Sequence, residues 1–302
     1  VAAQKQGTGN WTALRTKLST MLLERIEGGK LVLPAMPATA ARVIEVLESG
    51  GHQDKASALL EKDPVLALEV LRLANSASFA PRARIESIAH AISLLGATRL
   101  RTLLVTASAR QVFVSRNRNI RDLTATLWMH SVGVATVARQ IAVRAAFADK
   151  EAPYMAGLMH DIGKPIVAIH LLDLERSVSR SVQDHWIEPN EWLRIVQEVH
   201  RPVGIAVAKQ WNLSAEICKA ITDCEEFDPI ERLSASNAVR FANALAKREG
   251  VYAGAVDPEQ VETVLLIGRS MLGLDDDAVT ALSQALRAAT STEGAASTDN
   301  AR

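Results

Sequence analysis

Apolar residues recur along this chain at three- and four-residue intervals, with polar residues between them, which is the pattern of helices that bury one face. Residues 11–27 place Trp11, Leu14, Leu18, Leu22 and Ile26 along one side, and Gly28-Gly29 closes the segment. Leu33-Pro34-Ala35-Met36-Pro37 reads as extended, because each proline biases its predecessor away from helix. A helix over 38–48 stops at Gly50-Gly51, and Asp54 opens another that reaches Lys62. Asp63-Pro64 is a helix start, with Asp as the cap and Pro in the first turn, and Val65, Leu68, Leu71 and Leu73 form its apolar face. Ser87 opens a helix to Leu95, Gly96 breaks it, and the next runs through Leu100, Leu103 and Leu104 to Val114.

Arg116-Asn117-Arg118-Asn119-Ile120-Arg121 is a polar connector and the predicted boundary between two helical halves. Asp122 caps a long helix to Phe147, and Pro153 opens one that carries His160-Asp161, with an interruption at Gly163 or Pro165. Further helices are predicted near 173–182, 190–199, 202–211, 214–223, 229–249, 258–271 and 276–289. Residues 290–302 are small and polar and read as a disordered tail. No run alternates at period two long enough for a strand, and no fixed-period repeat is present. The predicted fold is all-α, in two packed helical subdomains.

Composition agrees with that reading. Of 302 residues, 48% are hydrophobic but only 4% aromatic, which favours close-packed helices over a β-sandwich. Lys+Arg and Asp+Glu both number 34, so nothing marks a general binder of DNA or of membrane surfaces. No stretch approaches the ~18 consecutive apolar residues of a membrane span. Two cysteines, Cys218 and Cys224, provide neither a disulfide framework nor a zinc spacing, which points to a reducing, cytoplasmic compartment. The arginines at 99, 101, 110, 116, 118 and 121 read as a solvated face, with phosphate or an acidic partner as the alternative.

The chemistry concentrates at His160-Asp161, two ionisable residues inside an apolar helix pattern. Such side chains must be hydrogen-bonded, paired or bound to a metal. His130 lies on the preceding predicted helix, and imidazole nitrogens with a carboxylate oxygen suit Zn, Mn or Fe. Lys164 is one turn beyond His160 and is a candidate phosphate contact, although a solvated cation at a helix end is the plainer expectation. A purely structural role is the other reading of the His-Asp pair, since a buried imidazole can lock two helices through a carboxylate or carbonyl. His52, His90, His170 and His185 have no ligand-like company.

At these residues the chain resembles the HD superfamily of metal-dependent phosphohydrolases, helical bundles with a His, His-Asp, Asp ligand set. Leu33-Pro34-Ala35-Met36-Pro37, Asp63-Pro64-Val65-Leu66, Leu71-Arg72-Leu73-Ala74-Asn75-Ser76 and Ser87-Ile88-Ala89-His90-Ala91-Ile92-Ser93-Leu94-Leu95-Gly96 are similar to the signature blocks of the HDOD family. HDOD proteins are HD-related output modules of bacterial signal transduction. The resemblance covers residues 30–250. It implies an N-terminal extension over 1–30, an HDOD helical bundle over 31–118, an HD-like bundle over 119–250, and C-terminal helices over 251–289 packed on it.

Comparison with the related HD-GYP phosphodiesterases of cyclic di-GMP shows what is retained and what is missing. His130-Ser131 and His160-Asp161-Ile162-Gly163-Lys164 are similar to their ligand motifs, and His200-Arg201-Pro202-Val203-Gly204 is similar to a third with Pro displaced by one. A His-His pair is replaced by Asp223-Cys224, there is no Gly-Tyr-Pro, and Asn243 is the residue best placed for the last Asp ligand. An amide oxygen binds a divalent cation more weakly than a carboxylate. The remaining set holds at best one metal, at His130, His160 and Asp161, with His200 and Asn243 as weaker candidates; a capping or core role is the plainer reading of His200.

The resemblance therefore implies a signalling module, not an enzyme, that binds a protein partner or a ligand through a degenerate HD-like site. The alternatives are a single-metal phosphohydrolase or phosphodiesterase acting on a nucleotide or cyclic dinucleotide, and a nucleotide receptor without turnover. No cofactor is required by the first reading, one divalent ion (Fe, Mn or Zn) by the second. The oligomeric state is open.

Overall fold

The computed structural model describes residues 11–50, 53–76, 79, 81, 83–115, 117–178, 189–223 and 225–299. Among them are thirteen helices and no strand. The first five are α1 (Trp11–Glu27), α2 (Ala38–Glu48), α3 (Gln53–Glu61), α4 (Pro64–Ala74) and α5 (Ile88–Phe113). Then follow α6 (Arg118–Arg144), α7 (Glu151–Met159), α8 (Gly163–Val178) and α9 (Pro189–Gln210). The last four are α10 (Ala215–Asp223), α11 (Ala235–Arg248), α12 (Pro258–Leu272) and α13 (Asp276–Asp299).

Local signals set many of these ends. Asp63 caps α4 by accepting from the Leu66 backbone N–H at 3.1 Å, with Pro64 in the first turn. Ser87 accepts from the His90 N–H at 3.1 Å. Asn75 closes α4: its amide donates to the Leu71 and Ile85 carbonyls and accepts from the Ile85 N–H, each at 2.8 Å. Gly96 (φ 74°, ψ 175°) kinks α5 where a break is predicted.

Several boundaries differ from the sequence expectation, for identifiable reasons. The connector before α6 is shorter than predicted, because Ile120 is buried and the helix starts at Arg118. α9 runs through Pro202, where two helices are expected; Val199, Val203 and Val207 remain buried on one stripe across the proline. α8 merges a predicted break and restart, and the rest of the 173–182 expectation lies outside the described residues. Residues 229–234 are a turn instead of helix, because the Asp228 carboxylate accepts from the Ile230 and Glu231 N–H groups, both at 2.9 Å. α13 continues to Asp299 beyond the expected tail start at 290, with the Thr290 hydroxyl donating back to the Leu286 carbonyl at 3.0 Å.

The apolar core is continuous from one half of the chain to the other. Leu22 of α1, Val43, Leu60, Val70, Leu104, Trp128, Leu158, Ile162 and Val199 belong to one buried cluster. A second covers the other face of α6, where Val134, Val137 and Ile141 meet Phe241, Leu245, Leu265, Leu282 and Leu286. Among the described residues α5 has the length and composition to cross a membrane, but Leu100, Leu103, Leu104 and Val105 are fully buried in the first cluster. Three of the arginines flagged above are paired internally: Arg99 with Glu151 (3.3 Å), Arg101 with Glu48 (3.1 Å) and Arg110 with Glu69 (3.3 Å).

Candidate metal centre

Two glycines bring the site together. A Cβ at Gly157 of α7 would lie 2.8 Å from Ala135 Cα and 2.9 Å from Ala135 N on α6, so glycine alone permits this backbone crossing. That crossing sets His130 of α6 against His160, which follows α7. A Cβ at Gly163 would lie 1.8 Å from the His200 carbonyl oxygen, so α8 and α9 also cross backbone to backbone. That crossing brings His200 to the far side of Asp161.

The geometry centres on Asp161, which is buried. His160 Nε2 lies 3.3 Å from Asp161 Oδ2, His130 Nε2 3.6 Å from the same oxygen, and His200 Nε2 3.4 Å from Oδ1. Each imidazole is oriented from behind at 2.7 Å: His130 Nδ1 by the Val251 carbonyl, His160 Nδ1 by the Gly157 carbonyl and His200 Nδ1 by the Gln197 carbonyl. A carbonyl only accepts, so Nδ1 carries the proton in all three rings and Nε2 presents a lone pair in the neutral form. The buried Nε2 atoms of His130 and His160 have no hydrogen-bond partner.

Lone pairs converging on a carboxylate call for a positive charge between them. The donor atoms of His130, His160 and Asp161 all lie within 4.8 Å of one another. For metal–ligand bonds of about 2.0–2.1 Å, tetrahedral ligand atoms sit about 3.3–3.4 Å apart, which is the spacing of the His160–Asp161 pair and close to that of His130. The residues present fit one divalent cation. Among the described residues they do not extend to a second, since Asp223 is exposed at the end of α10; Cys224 lies outside those residues.

Lys164 corrects an expectation. It is not a solvated helix-end cation but 4% exposed, in the first turn of α8, with Nζ donating to Asp161 Oδ2 at 2.6 Å. The helix dipole is unfavourable there, and the carboxylate compensates. Burial would raise the Asp161 carboxyl, but the positive charges of His160, when that ring is protonated, and of Lys164 hold it well below the usual carboxylate range. His200, read from sequence as a cap or core residue, stands in the ring around Asp161.

Burial pushes the His130 imidazole down from 6.5 to about 3. Between those values the unfolded chain binds a proton that the folded chain does not. Stability of the chelated, metal-free protein is therefore expected to fall as pH drops below 6.5, by about 1.4 kcal/mol per unit from this group. Asp161 adds loss at lower pH still, once the unfolded carboxylate near 3.8 protonates while the folded one resists. Urea denaturation from pH 7 to 5, compared with His130→Asn, checks the slope; equal slopes in the two proteins would refute a neutral buried imidazole.

The centre opens into a cleft of about 480 Å³ that His160, Asp161, Lys164, His200 and Asn243 line. Arg201, Arg240 and Lys247 add positive charge to it, and Glu225 and Glu226 negative. The buried Asn243 Oδ1 has no hydrogen-bond partner, so this amide is a spare acceptor in the cleft. Tyr252 had no motif to announce it. Its ring meets His130 edge-on at 5.3 Å and lies 5.3 Å from Lys164 Nζ and 4.9 Å from Lys247 Nζ. His52 and His185 lie outside the described residues; His90 is exposed and not among the cleft residues.

Similar proteins share this fold. A Shewanella amazonensis protein provisionally named a metal-dependent phosphohydrolase matches with a TM-score of 0.71 and 21% identity, over 91% of this chain and 99% of that one. An HDOD domain protein of unknown function from Geobacter sulfurreducens matches with a TM-score of 0.61 and 24% identity, over 95% and 98%. At such identities the likeness is one of fold. An uncharacterized Treponema pallidum protein is 24% identical over 208 residues, 68% of this chain but 39% of that protein's length. The HDOD domain model matches residues 33–227, about two thirds of the sequence, and the chain belongs to the HDOD domain family.

Proposed function

We propose that the chain is a regulatory module of bacterial signal transduction that holds one divalent cation and binds, without turning over, a ligand bearing a phosphate group. His130, His160 and Asp161 would hold the ion, with His200 flanking the second carboxylate oxygen. The observation that carries this reading is the pair of orphaned, buried Nε2 atoms, each oriented by a backbone carbonyl and aimed at one carboxylate. The signalling role draws on the family and on a similar Marinobacter aquaeolei protein provisionally named for signal transduction. The compartment is then the bacterial cytoplasm, and a protein partner receives the output.

When bound, the ion supplies a Lewis-acid site for a phosphoryl oxygen. Lys164 and Arg201, which also pair with Asp161 and Glu225, line the cleft with Arg240 and Lys247 and would add positive charge facing such a group. Hydrolysis by two metals needs both the attacking and the leaving oxygen clamped. Asn243 in place of a carboxylate and an exposed Asp223 favour binding over that chemistry. A nitrogen-rich donor set with one carboxylate suits Zn, Fe or Mn.

Elemental analysis of the purified protein tests the reading. One metal per chain is expected, lost in His160→Ala, together with no turnover across a panel of nucleotides and cyclic dinucleotides. Failure to bind metal even after reconstitution would overturn the centre. Metal-dependent hydrolysis that disappears in the His160→Ala, Asp161→Ala double variant would instead establish the single-metal phosphohydrolase.

A further inference from the structure

A second cavity, of about 800 Å³, adjoins the metal cleft. Gln197 and Tyr252 line both. Gln197 Nε2 donates to the Tyr252 hydroxyl at 2.8 Å, so this hydrogen-bonded pair is the shared wall. Both volumes fall within the range of small-molecule pockets, roughly 300–1,000 Å³.

The two sides differ in chemistry. The metal side has four cationic residues against three acidic ones, with Lys164 paired to Asp161 and Arg201 to Glu225, and Lys164 and Lys247 lie within reach of the Tyr252 ring. The other side has Leu193, Ala253 and Ala255, with one basic residue, Arg194, and one acidic residue, Glu198. The wall itself is built with care for space. Gly254 has φ +136°, and a Cβ there would stand 3.1 Å from Tyr252 Cε1. Glycine at this position lets the ring stand between the cavities, and the adjacent Val251 carbonyl orients His130. One loop between α11 and α12 thus positions a candidate metal ligand and forms the partition.

We propose that the two cavities are one bipartite ligand site, with Tyr252 as the partition, and that the ligand is a phosphate ester whose organic half is bulky, flat and largely uncharged. This rests on the reading of the metal cleft as a phosphate site. The phosphate lies over Asp161 among the cations. The organic half fills the second cavity and packs against the tyrosine ring, which aromatic faces favour. Inorganic phosphate fills only the first compartment, so the apolar walls of the second distinguish the ester from the free ion. Tyr252 is then a specificity-determining residue, not a catalytic one.

The experiment is calorimetric titration of the full, Mn-loaded chain with inorganic phosphate, phenyl phosphate and the four ribonucleoside 5′-monophosphates. At least one ester is expected to bind about tenfold or more tighter than phosphate. Tyr252→Ala is expected to collapse that ratio, and Tyr252→Phe, which keeps the ring, to retain most of it. Circular dichroism and metal content report whether each variant is folded. Phosphate binding with no ester preferred, or a ratio unchanged in Tyr252→Ala, overturns the bipartite site and leaves the phosphate reading standing. No binding of any probe overturns the phosphate reading itself, and the partition with it.

Discussion

Gly163→Ala is expected to lower the stability of the fold by about 3 kcal/mol or more, the upper end of what overpacking costs. The added methyl would enter the His200 carbonyl oxygen at 1.8 Å, with the His200 carbonyl carbon at 2.7 Å and the Gly204 nitrogen at 2.9 Å. All three are backbone atoms, so no side chain can swing aside. α8 and α9 must separate, and the buried stripe of Val199, Val203 and Val207 loses its fit. His200 would move away from Asp161 at the same time. Urea denaturation at pH 7 should show a lower midpoint with a similar slope. A midpoint like that of the parent protein would mean that the helices do not cross this closely.

Asp161→Ala is expected to cost about 3–5 kcal/mol, the range for removing one partner of a buried ion pair. Lys164 Nζ would keep its place at 4% exposure with no carboxylate to face. The Tyr252 ring at 5.3 Å offers only partial compensation. Adding Lys164→Met should recover most of the loss, because the stranded charge then disappears. Denaturation of both variants in chelator isolates the ion pair from any metal contribution. A single variant costing under about 1 kcal/mol would show that Lys164 escapes to water, as surface pairs do.

Much of the fold was legible because its signals are local. Asp63-Pro64, Ser87 and Gly96 announce the ends of α4 and α5 and the kink within α5, and the helices at 38–48 and 64–74 fall where the periodicity puts them. The proline at 202 misled, because helix-breaking is a local penalty that a continuous buried face overrides. In the site, His130, His160 and Asp161 could be named from their motif, and the structure brings them together. Lys164 was misplaced, since only tertiary packing decides whether a lysine is solvated. Val251 and Tyr252 lie in a loop without a motif, and nothing near them in sequence shows that they face His130. Gly163 reads as an interruption and Gly157 carries no signal in the sequence, whereas the role of both is the close approach of another helix.

The loop that orients His130 has a practical consequence for where this protein can be cut. The family match ends at residue 227, yet Asn243, Val251 and Tyr252 follow it, as do α11, α12 and α13. Residues before 33 matter as well, since the Ser19 hydroxyl of α1 donates to Glu198 of α9 at 3.1 Å. A fragment trimmed to 33–227 would strip the cover from Val134, Val137 and Ile141 and leave His130 free to rotate. Such a fragment would be sticky and short of a properly aimed ligand. Lost binding or aggregation in it would reflect the missing C-terminal quarter, not the chemistry of the family signature.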